Sequence, residues 1–256
     1  MPRLPVALVS VILASVAVAL PLRPARAQVL SLKPSAASPE PIASYEGTAS
    51  VRVEAWTKAL ARDGRFPSYE RMLVVSAAGQ VLTVVDGDRN RVLLPEPLAD
   101  VLMHIPLGAT LVHNHPDSVS LSDADLSQLA KVGVSRVVAL GHDGSVYEAS
   151  TALRFGNGAS VESRYGPVLQ RVLDRVIRES QYAGASLAGL YPHIPHVVAL
   201  IFDRAGVIHY SLRPSVDTWL TLERYRSVIQ RVVDAEAQRL RSDLAAQVIA
   251  SNQASN

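Results

Sequence analysis

The residues most able to do chemistry lie close together near the middle of the chain. His113 and His115 are separated by one residue, and Pro116 follows directly. Side chains two residues apart on an extended chain lie on the same side, so both imidazoles can reach one metal ion. Proline also keeps the residue before it extended. This spacing predicts a metal site at the end of a β-strand.

A carboxylate follows at a position that suits a third ligand. Asp125 lies ten residues after His115, at the start of a predicted helix, from which it can return to the same point. Two neutral histidines and one aspartate give zinc three protein ligands and leave one position for water. This number of protein ligands is typical of catalytic rather than structural zinc sites.

The same segment has a simpler structural interpretation. Ser122 and Asp125 have the spacing of a capping box, in which two side chains bond the free N–H groups at a helix start. Leu121 and Leu126 would complete a hydrophobic staple around that start. The two interpretations are compatible, because a capped helix would hold Asp125 in place as a ligand.

Together these residues resemble the motif of the JAB/MPN metallopeptidases, also called the JAMM family. The family motif is a glutamate, then H-x-H-P, a short loop and S-x-x-D. The H-N-H-P form found here is most similar to bacterial and phage-associated members. The loop 117–121 is one residue shorter than the commonest loop of the family. The resemblance covers about residues 55–155, and the matching residues are His113, His115, Pro116, Ser122 and Asp125.

The glutamate of the family motif lies upstream, at the start of a strand that runs into a glycine turn. Glu70 begins such a stretch, with apolar residues over 72–75 and a turn at Gly79. Glu54 and Glu96 are the alternatives. Glu54 falls in a predicted helix and Glu96 lies between two prolines, so strand context favours Glu70.

The resemblance implies a mechanism as well as a fold. It implies a zinc ion held by His113, His115 and Asp125. Glu70 would act as the general base that takes the proton of a water, and Ser122 would donate a hydrogen bond to the oxyanion. The expected reaction is hydrolysis of a peptide or isopeptide bond by a metal-activated water.

The flanking sequence predicts the elements that position these residues. Strands and helices alternate, which indicates an α/β domain over residues 51–155. The resemblance implies that its sheet is mixed and flanked by helices. Strands are predicted over 72–75, 81–85, 91–94, 109–113, 136–140 and 145–148, and helices over 51–61, 97–105 and 122–132.

Residues 156–256 have a different pattern. Apolar residues repeat at intervals of three and four over 168–177, which predicts an amphipathic helix. Apolar runs over 197–202 and 207–212 predict a hairpin. Ser215 then begins a long predicted helix. We therefore expect an α-rich C-terminal extension made of a helix, a hairpin and a helix.

Residues 1–27 predict export. They combine Arg3, an apolar run and small residues at Ala25 and Ala27, the pattern of a secretory signal peptide. The apolar run over 6–20 is shorter than the roughly 20 residues that a membrane-spanning helix needs. We therefore expect a periplasmic or secreted protein with no membrane span after cleavage. Residues 28–50, rich in proline, serine and alanine, are expected to form a flexible lead-in.

Charge and cysteine content limit the classes of function. The chain has 25 basic and 23 acidic side chains, but residues 1–27 hold three arginines and no acid. The remaining 22 basic and 23 acidic side chains give a formal charge of −1. This balance argues against a nucleic-acid partner, because nucleic-acid affinity depends on clustered lysine and arginine. With no cysteine in the chain, a metal site must use nitrogen and oxygen ligands.

These observations predict an exported, zinc-dependent hydrolase of the JAB type. Its partner would be a peptide or protein substrate, with cell-wall peptide as one candidate. The alternative is a non-catalytic JAB-like module that binds a protein or serves as a scaffold in the cell envelope. Stoichiometric zinc would favour the first prediction over the second.

Overall fold

A mixed β-sheet of six strands forms the centre of the fold in the computed structural model. The strand order is β2-β1-β3-β4-β5-β6. Neighbouring strands are antiparallel except β3 and β4, which are parallel. This sheet confirms the predicted α/β class. The strands are β1 (Arg71–Val75), β2 (Val81–Asp86), β3 (Ala109–His115), β4 (Val134–Gly141), β5 (Val146–Thr151) and β6 (Ile208–Arg213).

Helices flank the sheet. The structure describes residues 49–61, 64–104, 108–151, 159–183 and 188–254. In this part of the chain the helices are α1 (Ala49–Leu60), α2 (Glu96–Leu102), α3 (Asp123–Ser127), α4 (Ala159–Glu162), α5 (Tyr165–Ala183), α6 (Ile194–Ala205), α7 (Val216–Arg224) and α8 (Arg226–Ala254). Short 3₁₀ turns at Gln128–Ala130 and Tyr191–His193 follow α3 and precede α6.

The predicted signal peptide, residues 1–27, lies outside the described residues. So do residues 28–48 of the predicted lead-in. Among the helices that the structure describes, none is both long and apolar enough to cross a membrane.

Alternation along the strands divides the buried side chains between two faces of the sheet. Met72 and Leu111 belong to the larger core, to which α3, α5, α6 and α8 also contribute. Leu73 and Val112 belong to a smaller core on the other face, which Leu60 of α1 helps to cover. A side chain on β3 therefore faces one core or the other according to whether its number is odd or even.

The structure corrects the predicted hairpin of the C-terminal region. Residues 197–202 belong to helix α6, and only the second apolar run forms a strand, β6. A short continuous apolar run looks the same in a buried helix and in a buried strand, so periodicity does not separate them. Pro195 in the first turn and the left-handed Gly206 at the C-cap mark the ends of this helix.

Two other elements differ from the prediction. Residues 91–94 form no strand, and Val92 and Leu94 are buried in the larger core as irregular chain. Leu93 between them is only partly buried. Burial of every second side chain in this way does not require a paired strand. The helix predicted from Ser215 is two helices, because Tyr225 between α7 and α8 has a non-helical φ of −103° and ψ of 9°.

The C-terminal region completes the sheet. β6 pairs with β5 so that Arg213 lies opposite Val146. At the start of α7, the hydroxyls of Ser215 and Thr218 both donate to the carboxylate of Asp143, in the turn between β4 and β5. These bonds hold α7 against the sheet.

A glycine before β4 is required by the close approach of α2. Gly133 has a φ of 84°, and a Cβ atom there would lie 2.2 Å from the carbonyl oxygen of Leu102. Gly144 has a similar φ of 90°, but its Cβ position has no atom within 4 Å. The two glycines therefore share the backbone requirement and differ in the space around them.

We expect Gly133→Ala to lower the free energy of unfolding by about 1–3 kcal/mol more than Gly144→Ala does. Both variants force a side chain into left-handed backbone, but only the first also meets a carbonyl group. Urea unfolding of the two variants beside the wild type measures the difference. Equal losses of stability would contradict this description of the contact between α2 and β4.

Candidate metal centre

Four buried side chains that can ligate a metal converge at the end of β3. They are Glu70, His113, His115 and Asp125, and one ligand atom of each lies within 4.8 Å of the others. All four are buried, with at most 6% of any residue exposed. The sequence predicted these four residues, and the structure brings them together in a cluster that could bind a metal ion.

The sheet positions three of the four side chains. Alternation on β3 turns His113 and His115 to the same side, the face of the larger core. Met72 of β1 lies opposite His113 in the antiparallel pairing. Glu70 comes two residues before Met72, so it lies beside His115, with its Oε1 atom 4.0 Å from Nε2 of His115.

The start of α3 supplies the fourth side chain. Ser122 is the N-cap, and its Oγ accepts a hydrogen bond from the backbone N–H of Asp125 at 3.2 Å. In return Oδ2 of Asp125 accepts from the N–H of Ser122 at 2.7 Å and from its hydroxyl at 2.6 Å. The predicted capping box is thus confirmed, and it determines where the carboxylate of Asp125 lies.

The ligand atoms of the two histidines and Asp125 lie close together, with each histidine facing a different oxygen of the carboxylate. Nε2 of His113 lies 2.8 Å from Nε2 of His115 and 3.0 Å from Oδ1 of Asp125. Nε2 of His115 lies 3.3 Å from Oδ2 of Asp125. Tetrahedral ligands with bonds of about 2.0–2.1 Å stand about 3.3 Å apart. The spacing of these three side chains is therefore close to what one ion requires.

Contacts behind the two imidazoles differ. Nδ1 of His115 donates to the carbonyl oxygen of Val119 at 2.8 Å, which directs Nε2 toward the cluster. Such a bond on the second ring nitrogen is typical of histidines that ligate metals. Nδ1 of His113 is buried and has no hydrogen-bond partner among the described residues. The contacts of His113 are therefore made through Nε2, on the side of the cluster.

Asn114, between the two histidines, holds the backbone on both sides of Glu70 in place. Its Oδ1 accepts from the N–H of Arg71 at 2.9 Å, and its Nδ2 donates to the carbonyl of Tyr69 at 2.9 Å. These two bonds flank Glu70 along the backbone. This role could not be predicted from the sequence, because the partners lie 43 and 45 residues upstream. The one local signal was the presence of a polar residue between the two candidate ligands, His113 and His115.

The C-terminal region also supports the loop that follows the histidines. Oγ of Ser120 lies 2.8 Å from the hydroxyl of Tyr210, which lies 2.9 Å from Nδ1 of His196. Burial lowers the pKa of His196 to about 4, so this imidazole is neutral at pH 7. Ser120 follows Val119, whose carbonyl orients His115, so the chain of bonds ends beside the cluster.

The four side chains of the cluster shift one another's ionisation. Burial would lower the pKa of His115, but its hydrogen bond to Asp125 and the nearby negative charges raise this pKa to about 9. Burial lowers the pKa of His113. Burial would raise the pKa of Asp125, yet the two histidines hold it well below its usual range. Burial raises the pKa of Glu70 to about 7.

The other two candidate glutamates lie outside the cluster. Glu54 is exposed on α1 and forms an ion pair with Lys58 at 3.0 Å. Glu96 is exposed in the first turn of α2. Glu70 is therefore the one of the three that lies beside the histidines.

Comparison with known proteins finds no match among family models, curated proteins or solved structures. The chemistry of the cluster is therefore the basis for any functional conclusion.

We expect the metal-free protein to lose stability as the pH rises from about 6.5 to about 9. The pKa of His115 is about 9 in the folded protein and 6.5 in an ordinary histidine. Its protonation thus contributes stability that is fully present below pH 6.5 and is lost as the pH passes 9. Thermal unfolding in the presence of a chelator, with His115→Gln as control, measures this change.

The control variant should lose less stability over the same pH range than the wild type. A melting temperature of the metal-free wild type that rises between pH 6.5 and 9 would contradict the proton assignment to His115.

Proposed function

We propose that this chain is a zinc-dependent hydrolase of the JAB/MPN type that cleaves a peptide or isopeptide bond. The observation that carries the proposal is the buried group of His113, His115 and Asp125 with Glu70 beside it. Two imidazoles and one carboxylate are the ligands of many catalytic zinc sites, and a neighbouring carboxylate is the usual base. The resemblance of the sequence to the family motif supports the same conclusion.

The donor set favours zinc among the biological metals. Nitrogen ligands from His113 and His115 suit zinc, copper and iron better than magnesium or calcium, which prefer oxygen. Two histidines and one carboxylate also bind Fe(II) in some oxygenases. The position of Glu70 beside His115 favours zinc and hydrolysis, because a metal-bound water needs a neighbouring base to take its proton.

In this mechanism Glu70 moves the proton. A zinc ion held by His113, His115 and Asp125 would act as a Lewis acid that acidifies water and polarises a carbonyl group. Burial raises the pKa of Glu70 to about 7 in the metal-free protein, and from its place beside His115 the carboxylate can accept a proton from water and then pass it to the leaving amine. Asn114 keeps the backbone of Glu70 in place during both transfers.

Ser122 has two roles in the proposal. Its hydroxyl donates to Oδ2 of Asp125 at 2.6 Å and so orients a ligand. The oxyanion role expected from the family motif stays a prediction. It requires the Ser122 hydroxyl to rotate from Asp125 toward the substrate, while the backbone N–H of Ser122 retains its own bond to the carboxylate.

The proposed substrate is a peptide or protein of the cell envelope. The signal peptide predicted over residues 1–27 would direct the chain to the periplasm or the medium. Peptide cross-links of the cell wall are amide bonds available in that compartment. The near-neutral charge of residues 28–256 adds no support for a nucleic-acid substrate.

Substitution of Glu70 tests the reaction separately from the metal. We expect Glu70→Gln to retain zinc and to lower kcat/KM by about 10²–10⁴-fold, because the amide cannot accept the proton. Glu54→Gln is the matched control, since Glu54 is exposed and lies outside the cluster. Both variants are assayed on cross-linked cell-wall peptides and on a library of peptide and isopeptide substrates, with metal content measured in parallel.

Full activity of the zinc-loaded Glu70→Gln variant would overturn the mechanism. If the wild type binds zinc but cleaves no member of the library, the non-catalytic binding module becomes the better account.

A further inference from the structure

The other face of the sheet carries a basic cavity of about 350 Å³. It lies between α1 and the strands β4, β5 and β6, on the side of the smaller core. The metal cluster faces the larger core, so the sheet separates the two sites. The polar and aromatic lining residues are Arg52, Trp56, Arg136, Glu148, Ser211 and Arg213.

Strand pairing brings the charged residues of the sheet side together. Ser211 lies opposite Glu148, and Arg213 lies opposite Val146 on the same pair of strands. From β4, Nε of Arg136 reaches Oε1 of Glu148 at 3.4 Å. These three strands form the floor of the cavity. On it, Arg136 and Arg213 lie on either side of Glu148.

The residues that line the cavity carry more positive charge than the chain as a whole. Three arginines and one glutamate give a formal charge of +2, whereas residues 28–256 as a whole carry −1. Glu148 already pairs with Arg136. Among the described residues, Arg213 has no ion-pair partner. Arginine presents a planar fork of N–H donors that binds carboxylate and phosphate oxygens in pairs.

Apolar side chains form the rest of the wall. Trp56 and Val53 approach from α1, and Val146 from β5. An indole ring offers a flat surface on which an aromatic or aliphatic group can pack. The volume of about 350 Å³ falls in the range of small-molecule sites.

We propose that this cavity binds a small organic phosphate, namely a phosphomonoester. The phosphate dianion of this ligand binds the arginines, and its apolar group packs against Trp56. A phosphate group has three terminal oxygens that can accept hydrogen bonds from more than one guanidinium, whereas a carboxylate has two. The apolar wall distinguishes such a ligand from inorganic phosphate. The proposal does not depend on hydrolysis at the metal cluster, because the cavity lies on the opposite face of the sheet.

Phenyl phosphate is the probe, with inorganic phosphate and benzoate as comparisons. Binding is measured by calorimetry on the zinc-loaded protein and by fluorescence of a Trp219→Phe background, which leaves Trp56 as the sole tryptophan. Trp219 is half exposed on α7, away from the cavity lining. We expect phenyl phosphate to change the Trp56 emission and to bind more tightly than either comparison.

Substitutions on the cavity floor should act in opposite directions. We expect Arg213→Gln to weaken binding by about tenfold or more, because a charge-assisted bond is lost. Glu148→Gln should tighten binding several-fold, because it removes the one negative charge of the lining. Arg241→Gln, exposed on α8, is the matched control and should leave affinity unchanged.

Opposite effects of two neighbouring substitutions cannot arise from loss of folding. The proposal is overturned if millimolar phenyl phosphate does not bind. It is also overturned if Arg213→Gln and Arg241→Gln bind it equally, or if inorganic phosphate binds as tightly as phenyl phosphate.

Discussion

Burial of the Asp125 carboxylate is the constraint on which the rest of the site depends. An ionised carboxylate away from water is strongly unfavourable unless donors or positive charge surround it. Here the backbone and hydroxyl of Ser122 supply two donors, and His113 and His115 supply the remaining contacts. These groups come from β3 and from the cap of α3. The end of the strand and the start of the helix must therefore pack against each other.

The same carboxylate explains why a metal ion suits this position. The contact with Asp125 favours a proton on His115, while burial lowers the pKa of His113. A divalent cation can replace that proton and bind all three side chains at once, since metal binding and deprotonation of histidine are linked. Glu70 lies slightly farther away, with its Oε1 atom 4.0 Å from Nε2 of His115, and this position suits the base proposed for the reaction. The sheet register and the two bonds of Asn114 maintain that distance.

The cluster could be predicted from short sequence patterns, whereas contacts between residues far apart in the sequence could not. Alternation determines the shared side of His113 and His115, and the capping box determines the position of Asp125, so both follow from a few neighbouring residues. The link from Ser120 to Tyr210 spans 90 residues and leaves no local pattern. Residues 197–202 were predicted wrongly as a strand because a short continuous apolar run does not show whether it is a helix or a strand. The α/β class survived these errors, since it depends on the order of elements more than on any one of them.

The central claim is that His113, His115 and Asp125 jointly bind one zinc ion, and X-ray absorption at the zinc edge tests it most directly. The protein is loaded with one equivalent of zinc and freed of unbound metal. The account predicts nitrogen and oxygen scatterers at about 2.0–2.1 Å, with the outer-shell signal of two imidazoles. It also predicts that the His113→Ala variant either loses the zinc or keeps only the outer-shell signal of one imidazole, that of His115. A spectrum without imidazole scattering, or one unchanged in His113→Ala, would contradict the claim.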